Sequence, residues 1–342
     1  MDMFNVFLPV AGLEFNVLIL LLIGFTVGVC GGFFGIGGAW IVTPALNIFG
    51  FPMPYAIGTD LAHIGGKSIV STIRHGRFGN VDTRLGVSMI LGTTLGMELG
   101  ARIVMMLEQM GVAGPVIRKI YIVFLAGIGT LVLVDYIKHV RAQRRAAREG
   151  GQAVGGIQIA SYLHRIKIPP MIHFPVAGIT CSVWLPLIVG MLTGVVSAVL
   201  GVGGGFIRMP ALVYLIGCPT AVAVGTDLFE VMITGAYGAF TFGSKGRVDL
   251  VAAMWMLCGA AIGAQIGTIA VKYVRGYSIR LLFAVTIYLA CISVLLKQLK
   301  LESIAGPLIL AAAIGICGVI IVWLFKGAAK ELREKKAQGV GR

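Results

Sequence analysis

The chain carries its own sequence twice. Gly35-Ile36-Gly37-Gly38 is followed by Trp40, Ile41 and Pro44-Ala45-Leu46, and Gly201-Val202-Gly203-Gly204 by Gly205, Phe206, Ile207 and Pro210-Ala211-Leu212. The spacing is 166 residues, and Pro9-Val10-Ala11-Gly12 returns at the same spacing as Pro175-Val176-Ala177-Gly178. One extra residue in the second copy then makes it 167. Gly58-Thr59-Asp60-Leu61 falls on Gly225-Thr226-Asp227-Leu228, Val81-Asp82 on Val248-Asp249, and Gly92, Gly96 and Gly100 on Gly259, Gly263 and Gly267. A glycine loop duplicated inside apolar sequence is a ground plan of membrane transporters.

With 58% hydrophobic and 12% charged residues, most of the chain must face lipid or other buried helices. A net charge of +14 would suggest nucleic acid in a soluble protein. Here the basic residues cluster at the ends of apolar segments, with no interleaved aromatic and basic surface, which excludes that class. The six cysteines are scattered without a CxxC pair and read as small buried hydrophobes. No Lys or Arg precedes Lys67, so the first apolar run is expected to stay in the mature protein.

The expected fold is an all-α polytopic membrane protein with two inverted-topology repeats, about nine transmembrane helices and two half-helix glycine loops. Full-length spans are expected at 13–34, 85–107, 117–137, 250–271, 279–297 and 307–325, and shorter ones at 59–74, 184–200 and 226–242. Segments 39–49 and 206–216, directly after the glycine loops, cover about half the hydrocarbon thickness. The division is 1–137 first repeat, 138–183 basic cytoplasmic linker, 184–297 second repeat, and 298–342 final helix with basic cytoplasmic tail. Within the linker, 141–149 reads as a charged helical extension and 157–179 as a small hairpin. Its Lys138, Arg141, Arg144, Arg145 and Arg148 place it inside, which puts the N-terminus outside and the C-terminus inside. Lys245, Arg247, Lys297 and Lys300 fall outside, against the trend.

A glycine loop opening a half-helix leaves free N–H groups at the positive end of a helix dipole, and two such loops facing each other would cradle an anion. The candidate substrate-binding residues are Gly35, Gly37, Gly38, Trp40, Gly201, Gly203, Gly204, Gly205, Phe206 and Arg208. Alternatively, the glycines only permit tight helix crossing. A guanidinium within the membrane needs a partner. Arg208 is either a clamp on the anion or an internal ion pair with Asp227, Glu230 or Asp60. Thr59, Asp60, His63, Thr226, Asp227 and Glu230 are the coupling or gating candidates. Thr59-Asp60 and Thr226-Asp227 also read as helix N-caps following a Pro-containing turn. Glu98 and Gln265 occupy equivalent places in the glycine-ridged helices, whose ridges read as packing surfaces, with dimerisation as the alternative. His164 and His173 have no nearby ligand partners, and neither metal nor cofactor is expected.

The duplicated GxGGx-aromatic-Ile-x-x-Pro-Ala-Leu, each copy followed by Pro and Gly-Thr-Asp-Leu, resembles the sulfite exporter TauE/SafE family, also called the toluene sulfonate uptake permeases. The resemblance covers 13–137 and 184–325. It implies a bacterial inner-membrane permease for small anions such as sulfite, sulfoacetate and other organosulfonates. The family's more usual Gly-Thr-Ser appears here as Gly-Thr-Asp twice. The expected function is a secondary transporter, not an enzyme, whose partners are the bilayer, a small anion, a coupling proton and a second copy of the chain. An uncoupled anion channel and a membrane-embedded enzyme remain alternatives. No Walker motif, HExxH or nucleophile elbow accompanies the chain.

Overall fold

The computed structural model describes residues 4–34, 40–149, 168–270 and 278–339. The first unit runs β1 (Asn5–Leu8), β2 (Leu13–Asn16), α1 (Val17–Phe34), α2 (Val42–Ile48), α3 (Met53–Arg77), α4 (Thr83–Gln109) and α5 (Ala113–Glu149). The second repeats that order as β3 (Met171–Phe174), β4 (Ile179–Ser182), α6 (Trp184–Leu200), α7 (Gly205–Tyr214), α8 (Thr220–Gly243), α9 (Leu250–Ala270) and α10 (Ser278–Gln298). A final helix, α11 (Glu302–Gly339), follows.

Among the described residues, six helical stretches are long and apolar enough to cross a membrane: Val17–Phe34, Thr83–Gln109, Ala113–Lys138, Leu250–Ala270, Leu281–Gln298 and Glu302–Ala329. Their outer faces expose large apolar side chains, such as Leu91, Leu95 and Leu99 on α4, Val123 and Leu131 on α5, and Met254 and Ile262 on α9. The protein is a mostly helical, polytopic membrane protein. The two short helices expected after the glycine loops are present as α2 and α7.

Each unit opens with a β-hairpin, where 13–16 had been expected to begin a helix. Asn5 pairs with Asn16 and Leu8 with Leu13, and in the second hairpin Met171 pairs with Ser182 and Phe174 with Ile179. The Asn16 side chain accepts from the Leu18 amide at 2.9 Å, which starts α1 only after the strand. Gly12 and Gly178 both sit at φ +67° in the hairpin turns, a left-handed conformation that explains why the Pro-Val-Ala-Gly sequence ends in glycine twice. The hairpin expected within 157–179 lies later, at 171–182.

The glycine ridges join the two repeats. A Cβ at Gly24, Gly28 or Gly32 of α1 would fall under 3.0 Å from the carbonyl oxygens of Met256, Ala260 or Ala264 on α9. In return, Gly259, Gly263 and Gly267 lie against the carbonyls of Leu21, Phe25 and Val29. Gly92 and Gly96 of α4 meet the carbonyls of Leu187 and Met191 on α6, and Gly190 and Gly194 meet those of Met89 and Thr93. In both seams the residue numbers rise together, so the helices run parallel. At the centre, Gly65 meets Gly235, Gly58 meets Phe242 and Leu61 meets Gly238, so α3 and α8 run antiparallel. These two helices occupy equivalent places in the repeat.

A pair of reciprocal clasps completes the exchange. Asp82 caps α4 by accepting from the Leu85 amide at 3.1 Å, while its other oxygen accepts from Val176 and Ala177 of the β3–β4 turn, each at 3.0 Å. Asp249 accepts from the Ala252 amide at 3.1 Å, and from Val10 and Ala11 of the β1–β2 turn at 3.1 and 3.3 Å. Each repeat therefore holds the hairpin of the other.

Gly263→Leu should prevent the α1–α9 approach and destabilise the protein by about 1–3 kcal/mol or more. Gly315→Leu, where a Cβ meets nothing within 4 Å, should leave the melting temperature in detergent nearly unchanged. Asp249→Ala should leave the Val10 and Ala11 amides unpaired. We expect faster amide exchange in the first hairpin and a loss of about 1–3 kcal/mol, whereas equal exchange would contradict the clasp.

Candidate functional site

Arg208 lies one turn into α7 and is completely buried. Its Nη1 donates to Asp227 Oδ1 at 3.0 Å and also contacts the Glu230 carboxylate. Nε reaches Thr193 Oγ1 and Nη2 reaches the Gly203 carbonyl, both at 3.4 Å. Thr234 donates to the Glu230 carbonyl at 2.9 Å and faces its carboxylate at 3.4 Å. One cation thus stands against two carboxylates, all withdrawn from water, an arrangement in which every member depends on the others. Of the two readings of Arg208, the described geometry displays the internal ion pair.

The loop ahead of α7 needs glycine for two separate reasons. Gly201, Gly203 and Gly204 have φ of +75°, +66° and +76°, a region that disfavours side chains. There is also no room. A Cβ at Gly204 would strike the Arg208 guanidinium, and one at Gly205 would lie 2.6 Å from Asp227 Oδ2. Gly203 packs on Ile64 of α3 and Val231 of α8, while Gly201 abuts Thr43 of α2 and Ile57 of α3. The second loop therefore lies against the first half-helix, between the two central helices.

The first repeat has a matching polar cluster. Asp60 Oδ2 accepts from the Thr43 amide at 3.1 Å and from its hydroxyl at 2.8 Å. Asp60 Oδ1 lies 3.5 Å from His63 Nδ1. Both residues are fully buried, and Lys67 is buried one turn further along the same face. Asp60 Oδ1 and both His63 ring nitrogens have no hydrogen-bond partner among the described residues. Each Asp of the Gly-Thr-Asp pairs thus sits at the start of its half-helix, Asp60 at Thr43 and Asp227 at Gly205.

Thr59 and Thr226 do not open their helices. The chain turns at Pro52 and Pro219, so α3 and α8 begin earlier than expected, and both threonines fall in helix interiors. Their hydroxyls accept from the Asp249 and Asp82 amides, each at 3.0 Å, and so belong to the clasps. Trp40 is buried with its ring edge-on to Phe283, at 6.0 Å between centroids. Gly35, Gly37 and Gly38 lie outside the described residues, as does the side chain of Phe206. Glu98 pairs with Arg102 at 3.0 Å on the outward face of α4, and Gln265 is exposed on α9. Sequence reasoning missed Thr43, Lys67 and Thr193. Lys67 carried a usable signal, a lysine one turn beyond His63 inside an otherwise apolar helix. Two recesses, one lined by Asn47, Met53, Arg118 and Tyr121 and the other by Trp40, Ile41, Thr286 and Ala290, do not reach Arg208.

The family model for the sulfite exporter TauE/SafE matches residues 20–294 and 185–328. The chain belongs to the TauE/SafE family. It is 29% identical over 253 residues to a probable membrane transporter of Xylella fastidiosa strain Temecula1, covering 72% of this chain and 80% of the relative. It is also 26% identical over 227 residues to the probable membrane transporter MJ0441 of Methanocaldococcus jannaschii, covering 62% and 70%. The probable membrane transporter YunE of Bacillus subtilis is 23% identical over 258 residues, covering 73% and 86%. No solved structure matches. This TauE/SafE chain is therefore a probable membrane transporter, and its relatives' names point away from enzymatic work.

Removing the guanidinium should strand two carboxylates. Arg208→Met is expected to cost about 3–5 kcal/mol. Adding Asp227→Asn and Glu230→Gln should recover much of that loss, measured as melting temperature in detergent. A single variant as stable as wild type would show that the ion-pair cluster contributes nothing.

Proposed function

We propose that the chain is a secondary transporter of the bacterial inner membrane that moves a small anion, sulfite, sulfoacetate or another organosulfonate, by alternating access. The observation that carries this reading is Arg208, held in the interior by Asp227 and Glu230 beside a loop of three left-handed glycines. An intramembrane guanidinium with two carboxylates is a functional arrangement by default. Charge supplies the coupling. When one carboxylate takes up a proton, its hold on the guanidinium weakens, and an incoming oxyanion can take the vacated donors through a bidentate contact. When the proton leaves, the carboxylate reclaims Arg208 and expels the anion. The glycine backbone around the guanidinium, together with Gly35, Gly37 and Gly38 in the first loop, would complete the cradle. Asp60, His63, Thr59 and Thr226 would take part in coupling or gating.

The antiparallel pairing of α3 with its own counterpart α8 supports an inverted repeat, in which rocking of one unit against the other exposes the centre to alternate sides. The basic segment after α5 would then lie in the cytoplasm with the C-terminal tail, and the first hairpin would lie outside.

In proteoliposomes, radiolabelled sulfite should accumulate against its gradient, and a proton uncoupler should abolish accumulation. Gly37→Val and Gly203→Val should each reduce uptake to background, and Glu230→Gln should uncouple it from the proton gradient. Flux that only follows the anion gradient and ignores uncouplers would favour a channel. Product formation in detergent would favour an enzyme. Full transport by a folded Gly37→Val/Gly203→Val protein would remove the cradle.

A further inference from the structure

The two polar clusters occupy equivalent places but carry opposite surpluses. In the second repeat, one guanidinium faces the two carboxylates of Asp227 and Glu230. In the first, one carboxylate, Asp60, shares a helix face with two nitrogen bases, His63 and Lys67. The position equivalent to Arg208 is Val42, so no guanidinium reaches Asp60 from the half-helix. Among the described residues Asp60 accepts hydrogen bonds instead from Thr43, both through Oδ2, while Oδ1 lies 3.5 Å from His63 Nδ1.

What remains is a set of buried polar atoms without hydrogen bonds among the described residues. Asp60 Oδ1 is an acceptor and His63 Nε2 is a potential donor, and both side chains are completely excluded from solvent. Native interiors rarely leave such atoms unpaired, and those that persist need an explanation. The cluster also lies on the proposed route. Thr43, which binds Asp60, is the residue that Gly201 of the second glycine loop touches.

We propose that Asp60 and His63, with Lys67 beyond them, form a subsite for an oxyanion that still carries one proton, such as hydrogensulfite, and select it over a sulfonate. This rests on the anion-transport reading above and narrows it. The selectivity follows from the donor pattern. The ligand's O–H donates to Asp60 Oδ1, while its remaining oxygens accept from His63 Nε2–H and face the Lys67 ammonium. A sulfonate has no proton to give, so its oxygens meet the Asp60 carboxylate directly and repel it. A site built to bond a hydroxyl rejects an analogue that lacks one more strongly than an apolar pocket rejects a change of size.

The test compares hydrogensulfite with methanesulfonate as ligands of the purified full chain, by calorimetry in one mildly acidic buffer. Hydrogensulfite should bind about tenfold more tightly or better. Asp60→Asn keeps an oxygen for Thr43 and can turn its amide N–H₂ toward the ligand, so the preference should disappear or reverse. His63→Leu should weaken both anions. Wild-type binding of both anions within about threefold of each other, or an unchanged preference in a folded Asp60→Asn protein, would overturn the subsite and leave anion transport standing. Binding of neither anion would overturn both. The wild-type comparison decides even if the variants fail to fold.

Discussion

Bare backbone against bare backbone is the contact on which this molecule depends. Lipid offers helices no hydrophobic reason to associate, so association rests on how closely their main chains can approach. The rows at Gly24, Gly28 and Gly32, and at Gly259, Gly263 and Gly267, remove side chains from both partners of one seam. The α4–α6 seam repeats the arrangement with Gly92, Gly96, Gly190 and Gly194. Both seams join helices from different repeats, so the shared interior exists only once the two halves have met. That interior is where α3 and α8 cross, carrying the ionisable residues away from lipid.

Burial gives those residues their meaning. In water, Arg208 would contribute little by meeting two carboxylates, but inside the bundle its removal leaves charge with nowhere to go. Divergence between the halves is equally telling. Duplication supplied equivalent positions, and substitution then changed their character: Arg208 stands against Val42, and Glu230 against His63. The two clusters at equivalent positions therefore differ in character, a guanidinium between two carboxylates in one and a carboxylate beside two nitrogen bases in the other.

Much of the architecture is legible in the amino-acid sequence. Long apolar runs mark the six spans because lipid demands length, and the two half-helices follow from apolar runs too short to cross. The hairpins were not readable, since strands as short as Leu13–Asn16 and Ile179–Ser182 carry almost no periodic signal next to an apolar helix. Thr59 and Thr226 read as helix N-caps after a Pro-containing turn, whereas the prolines of that turn themselves begin the helices, six or more residues earlier in the chain. The internal pairing of Arg208 was one of two open readings, and choosing between them required geometry. Partnerships such as Asp249 with Val10, 239 residues apart, leave no local trace at all.

The crossed clasps also bear on how the chain is made. The carboxylate that secures the turn of the Asn5–Asn16 hairpin follows that turn by 239 residues, so it is synthesised long after the hairpin itself. Until then its exposed amides have only water or a chaperone for company. A single repeat standing alone would face the same shortage and could meet it only by pairing with another copy of itself, whereas one polypeptide carrying both halves makes that exchange independent of concentration.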